Sequence, residues 1–181
     1  MKNHHVKVYP SKANLPKEDQ LAWKLAKMVT DDVPISAEVE DMVINRIIDN
    51  ASVAIASVNR TPVVNARAQA LAHARQDKGA NVFGMPKDFK VHAEWAAWAN
   101  CVAVRELDYH DTFLAADYSH PGDSIPAVLA VAQQLGKSGA DVLRGIVASY
   151  EVHVNLVKGI CLHEHKIDHV APLCPAQAAG V

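Results

Sequence analysis

The chain has 181 residues, half of them hydrophobic, and a formal net charge of −2; it can bury one sizeable core but lacks the basic excess of a nucleic-acid or anionic-membrane partner. Three cysteines, Cys101, Cys161 and Cys174, are odd in number and form no CxxC pair, which argues against a disulfide framework or a cysteine-only zinc site and fits a reducing cytoplasm. No apolar run approaches the roughly 20 residues of a membrane span, and the polar start MKNHHVKVYPSKANLPKEDQ has no apolar signal core.

Residues 1–17, with the adjacent His4 and His5, are expected to form a solvent-exposed flexible arm within a single unit covering 1–181. LAWKLAKMVTD suggests a short helix. In ISAEVEDMVINRIIDNASVAIASVN, Val39, Val43, Ile47, Ala51, Ile55 and Val58 recur mostly four apart and predict a long helix with one stripe on a core. Ser36 can cap its start, with Glu38 and Glu40 in the first turn. TPVVNARAQALAHARQ predicts a further helix, with Thr61 as N-cap, Pro62 in the first turn and Gly79 ending the run.

GANVFGMPKDFKV breaks the helical period through Gly84 and Pro86 and reads as a short extended excursion. HAEWAAWANCVAVREL then resumes as a helix buried on more than one side. Trp95, Trp98 or Ala99, Val102 and Leu107 lie near one face, and the alanines from Ala93 to Ala103 permit close approach of neighbours. IPAVLAVAQQLG predicts a helix stopping at Gly136, and SGADVLRGIVASYEVHVNLVKGI opens with Ser138 and Asp141 at capping-box spacing. DHVAPLCPAQAAGV is alanine-rich but interrupted by Pro172 and Pro175. The fold class is all-α, with no internal repeat or linker.

Two stretches concentrate titratable groups. RELDYHDTFLAADYSHPGDS, Arg105 to Ser124, follows the alanine-rich helix; if helix continues through Asp108, then Asp108 and Thr112 project from one face, and such a pair can orient a histidine and fix its tautomer. The same residue types also build purely structural loops of caps and turns. The second stretch is CLHEHKIDH, with His163, His165 and His169. Imidazole is a common metal ligand, yet the spacing is not H-E-x-x-H, since Lys166 follows His165 where the glutamate would stand; an exposed, helix-breaking polar turn fits it better. His153, amid VHVNL, reads as a satisfied core histidine.

AAWANCVAVRELDYHDTF, then HPGD, then DHV resemble the MmgE/PrpD family in order and spacing, and the likeness runs from about Ala22 to the end. LDYHDT followed by HPGD is a fairly specific pair. The resemblance implies part of a large helical domain, its smaller lid domain not encoded here, and a dimeric lyase without metal or other cofactor. The implied reaction removes water from 2-methylcitrate, giving 2-methyl-cis-aconitate in propionate breakdown. Residue by residue, it implies Asp108, Thr112, His120 and His169 as catalytic groups, the two histidines serving as acid and base in an order left open. Asp111 and Lys166 are the candidates for holding a carboxylate of the small-molecule tricarboxylate. The lysines and tyrosine that complete such a site are expected beyond Val181, so the chain alone is expected to turn over little or nothing and to associate through uncovered apolar surface. Where relatives are expected to carry asparagine the chain has Ser124, and PLCPAQAAG stands in place of HLGPAVAAG, which sets Gln177 in a tightly packed segment. The alternative is a non-catalytic helical remnant that binds a carboxylate ligand or a partner.

Overall fold

The structure is a computed structural model that describes Lys7 and residues 9–181. His4 and His5 therefore lie outside the described residues. Two compact units are present, Met1–Ile35 and Ser36–Val181. In the first, a 3-10 turn at Lys17–Asp19 leads into α1, Leu21–Val29, and the Lys17 ammonium lies 4.5 Å from the centre of the Trp23 ring, a cation–π contact.

The second unit is helical apart from one two-residue hairpin. Its first helix, α2, spans Ala37–Ala56, and the Ser36 hydroxyl accepts from the Val39 N–H at its start, as the capping pattern predicts. The buried face of α2 differs from the expected stripe. Val43, Asn50, Val53 and Ala54 are buried, whereas Val39 and Ile55 are exposed. A strict four-residue repeat advances about 40° more than one full turn each time, so the expected stripe winds away from the core along the helix. Ile44, Ile48 and Ile55 consequently form an exposed apolar face.

Helix α3, Thr61–Leu71, begins one residue earlier than expected, with Arg60 at the N-cap and Pro62 in the first turn. It ends at Leu71, well before Gly79. The segment beyond it makes the extended excursion, closed by bridges of Ala74 and Ala80 to Val91. Asn100, on the next helix, supports it, accepting from the Phe83 N–H at 2.8 Å and donating to the Asn81 carbonyl at 3.0 Å.

Helix α4 is Ala93–Arg105, and its alanine face is the buried one: Ala93, Ala96, Ala99 and Ala103 pack inward while Trp98 is 52% exposed. Small side chains let α5, Ile125–Leu135, approach closely, and the large indole is left on the rim. Gly136 closes α5 in the left-handed conformation, φ 65°. Helix α6, Gly139–Gly159, carries the complete capping box of Ser138 and Asp141. Helix α7, Leu173–Gly180, starts directly after Pro172, so Pro175 falls in the first turn, where no intrahelical N–H is required. Gln177 has a partner after all, donating to the Asp123 carbonyl at 3.2 Å.

Candidate active site

The polar stretch after α4 is built on a change of backbone direction. α4 stops at Arg105, and Asp108 takes the left-handed conformation at φ 54°, which aspartate tolerates better than most side chains. The expected helical face shared by Asp108 and Thr112 therefore does not exist. Instead the chain forms a hairpin, β1 (Phe113–Leu114) against β2 (Tyr118–Ser119), and enters a 3-10 turn at Pro121–Ser124 that runs straight into α5.

That geometry brings Asp108 and Thr112 to opposite ends of one imidazole. Thr112 Oγ1 lies 3.4 Å from His120 Nδ1, and Asp108 Oδ1 lies 3.9 Å from Nε2. His120 Nδ1 also lies 2.9 Å from the Asp111 carbonyl oxygen. A carbonyl only accepts, so Nδ1 carries the proton and the neutral ring presents its lone pair at Nε2.

Asp111 holds this turn from inside. One carboxylate oxygen accepts from the Gly122 N–H at 2.8 Å and the other from the Tyr150 hydroxyl of α6 at 2.7 Å, while Asn50 of α2 donates to the Gly122 carbonyl at 3.0 Å. A side chain at Gly122 would run into the Asp111 carboxylate. Burial, then the negative charge of Asp111, pushes the Tyr150 hydroxyl upward from its ordinary range, so it stays a donor.

The CLHEHKIDH stretch reaches the same place through Asp117. Its buried carboxylate accepts from the Tyr118 N–H (2.8 Å), the Leu162 N–H (2.8 Å), the His163 N–H (3.3 Å) and the His163 ring (2.6 Å). Burial alone would raise this carboxyl, but the hydrogen bonds outweigh it and hold it down at about 2. The Tyr118 ring then packs against both His163 and His169, at 4.9 and 4.6 Å between centres, and the two imidazoles lie 5.8 Å from each other.

Ser119, next along β2, fixes His169 from behind. Its hydroxyl contacts His153 Nε2 at 2.6 Å and the His169 carbonyl at 3.1 Å. One hydroxyl proton serves both contacts only if it goes to the carbonyl, so His153 donates from Nε2. His153 is thus a core histidine satisfied at one nitrogen; its Nδ1 is buried without a partner.

His120 and His169 end with ring centres 5.7 Å apart at 65°. Nδ1 of His169 lies 3.3 Å from Asp168 Oδ1, and its Nε2 is buried without a hydrogen bond. Asp108 is largely exposed and paired with Arg105 at 2.6 Å. Lys166 is exposed on a left-handed turn, φ 58°. Sequence reasoning did not single out Asp117, Tyr118 or His110, whose ring is buried 4.8 Å from that of His120. The alternation of buried Asp117 and Ser119 about exposed Tyr118 was the available signal. A mainly apolar, open hollow of about 470 Å³ is bordered by Trp98, Cys101, Arg105, Asp123, Val170 and Gln177; neither His120 nor His169 lines it. Its size falls within the range of about 300–1,000 Å³ typical of small-molecule sites.

The sequence pattern of the MmgE/PrpD N-terminal domain matches residues 19–181. The chain belongs to the MmgE/PrpD family. Among its curated relatives, "Probable 2-methylcitrate dehydratase" of Saccharomyces cerevisiae (strain ATCC 204508 / S288c) is 33% identical over 98 residues, 47% of this chain and 19% of that protein. "2-methylcitrate dehydratase, mitochondrial" of Yarrowia lipolytica is 30% identical over 105 residues, 52% of this chain and 20% of that protein. "2-methylcitrate dehydratase" of Salmonella typhi is 28% identical over 113 residues, 57% of this chain and 23% of that protein. The stretch shared with these MmgE/PrpD relatives is thus about a fifth of their length. Among the described residues of this family member, no helix is long and apolar enough to cross a membrane.

Proposed function

We propose that the chain supplies the acid–base half of a 2-methylcitrate dehydratase-like lyase site, acting on a small tricarboxylate in propionate catabolism. The observation that carries this reading is the meeting of His120 and His169 at 5.7 Å, each with Nδ1 beside a protein oxygen and Nε2 without a hydrogen bond. Water elimination needs two proton transfers. One imidazole takes the proton from the carbon beside a carboxylate, the C–H electron pair becomes the new double bond, and the other imidazole gives a proton to the departing hydroxyl. No redox partner or metal enters that balance. Asp108 and Thr112 bracket the His120 ring, Lys166 contributes a positive charge for a substrate carboxylate, and Asp111 acts on substrate through the turn it holds.

The MmgE/PrpD family assignment and the names of the relatives support the substrate class. The exposed Ile44, Ile48 and Ile55 face of α2 supports a second element of the reading, a homodimer, and the three free cysteines suit a cytoplasmic location. Light scattering reads this: a monomer with a cooperative melt favours instead a self-sufficient helical binding module.

Adding 2-methylcitrate to the isotope-labelled chain tests the site. The ring signals of His120 and His169 are expected to move together and to stay put in the His120→Asn variant for the remaining ring. Shifts confined to other histidines overturn the proposal. Followed by ultraviolet absorbance of the conjugated product, the 181-residue chain is expected to show little or no turnover, since it shares only about a fifth of the relatives' length.

A further inference from the structure

We propose that Asp108, His110 and His120 form a binding site for a divalent transition-metal ion of the zinc type, which blocks His120 when bound. Among the described residues these three each offer one ligand atom within 4.8 Å of the others. The site itself is independent of the lyase reading; only the inhibitory consequence rests on it.

His110 is the observation that points to a ligand. Its side chain has no exposed surface, and neither ring nitrogen makes a hydrogen bond. Nε2 lies 2.7 Å from Asp123 Oδ1 but out of line for one, and Nδ1 has no hydrogen-bond partner. A buried imidazole left in this state is unfavourable unless something else satisfies it. The Asp123 carboxylate draws the ring proton to Nε2, which leaves Nδ1 with a lone pair.

His120 is prepared in the same way. Its Nδ1–H is held by the Asp111 carbonyl at 2.9 Å, leaving the lone pair on Nε2. Metal-bound imidazoles characteristically use the second nitrogen to donate to a carbonyl or carboxylate; His120 has the Asp111 carbonyl in place, and the Asp123 carboxylate stands 2.7 Å from His110 Nε2, so that a small ring rotation makes the same bond. Asp108 is the third ligand. Its carboxylate is mostly exposed, sits on the left-handed turn and lies 3.9 Å from His120 Nε2.

Ligand atoms around tetrahedral zinc stand about 3.4 Å apart, given metal–ligand bonds of roughly 2.0–2.2 Å. Asp108 can supply the closure by leaving Arg105, its present partner at 2.6 Å. Two nitrogens and one oxygen suit zinc and leave a fourth position open to water. Occupation takes the Nε2 lone pair of His120, the one a base would use, so the ion acts as an inhibitor and not as a cofactor.

Competition of the full chain against a chromophoric zinc chelator tests the site. One zinc ion per chain is expected, with the His110 and His120 ring signals moving on titration. Asp108→Asn, at an exposed position, is expected to weaken binding at least tenfold, and His110→Asn to abolish it. The double variant His4→Ser, His5→Ser and the single variant His165→Asn are expected to bind like the parent. Loss of binding in either of those variants, or parent-like affinity in Asp108→Asn, overturns the proposal. The readout is affinity, so a failure here is distinguishable from a failure of the 2-methylcitrate titration.

Discussion

The carboxylate of Asp117 grips the ring of His163 at 2.6 Å, and through that contact the hairpin and the distant CLHEHKIDH stretch become one structure. The same carboxylate caps the Leu162 and His163 N–H groups. This is why Tyr118 can pack against both His163 and His169.

Stability between pH 4 and 2 should depend on Asp117. Its carboxyl is held at about 2 against an ordinary 3.8, so its contribution is complete above about 4 and disappears as pH falls through about 2. In Asp117→Asn the melting temperature should be lower at neutral pH and should fall less steeply over that acid window. Parallel curves for the two proteins would exclude this role.

His153 gives a second acid dependence at higher pH. Burial holds its imidazole below the ordinary histidine value of 6.5, so the unfolded chain takes up the proton first. Stability from this group is whole above about 6.5 and declines as the solution is acidified below it, by at most about 1.4 kcal/mol per pH unit. Urea unfolding at several pH values checks the slope. His153→Leu should flatten it and, by leaving Ser119 with one partner fewer, cost about 1–3 kcal/mol at pH 7.

Gly145 and Gly180 set the distance between α6 and α7. A Cβ at Gly145 would meet the Gly180 carbonyl oxygen at 2.5 Å and Val128 at 2.9 Å, whereas one at Gly139 meets nothing within 4 Å. Gly145→Ala should destabilise the fold by about 1–3 kcal/mol through overpacking. Gly139→Ala should be neutral or mildly stabilising. Denaturant midpoints of the two variants distinguish the contact from a general effect of alanine.

The cysteines should differ sharply toward a thiol reagent at neutral pH. Burial, then the Asp123 carboxylate, pushes the Cys101 thiol up to about 12, so almost no thiolate is present. Cys174 is exposed. Cys174 is expected to react fast, with Cys101 modified only after unfolding; mass spectrometry of the early product distinguishes these two sites.

The helices were legible in the sequence because their signals are local. Ser36, the Ser138–Asp141 pair, Pro62 and Gly136 act within one turn of their own positions, and the structure uses all four. The buried faces were less legible. Which side of α2 or α4 faces inward depends on the neighbour's shape, so alanines displaced Trp98 from the core and a plausible stripe on α2 wound out to solvent.

By itself the sequence determined the all-helical class, the MmgE/PrpD likeness and the two stretches where titratable groups gather, since residue type, order and spacing suffice for these. Only the tertiary structure decided how the stretches meet. The left-handed turn at Asp108 ended the expected helical pairing with Thr112 and set both residues around His120. Asp117 and Ser119 then carried His169 to within 5.7 Å of that ring. Contacts between residues remote along the chain cost backbone entropy and form only when the whole packed unit supports them, so no window of sequence contains them.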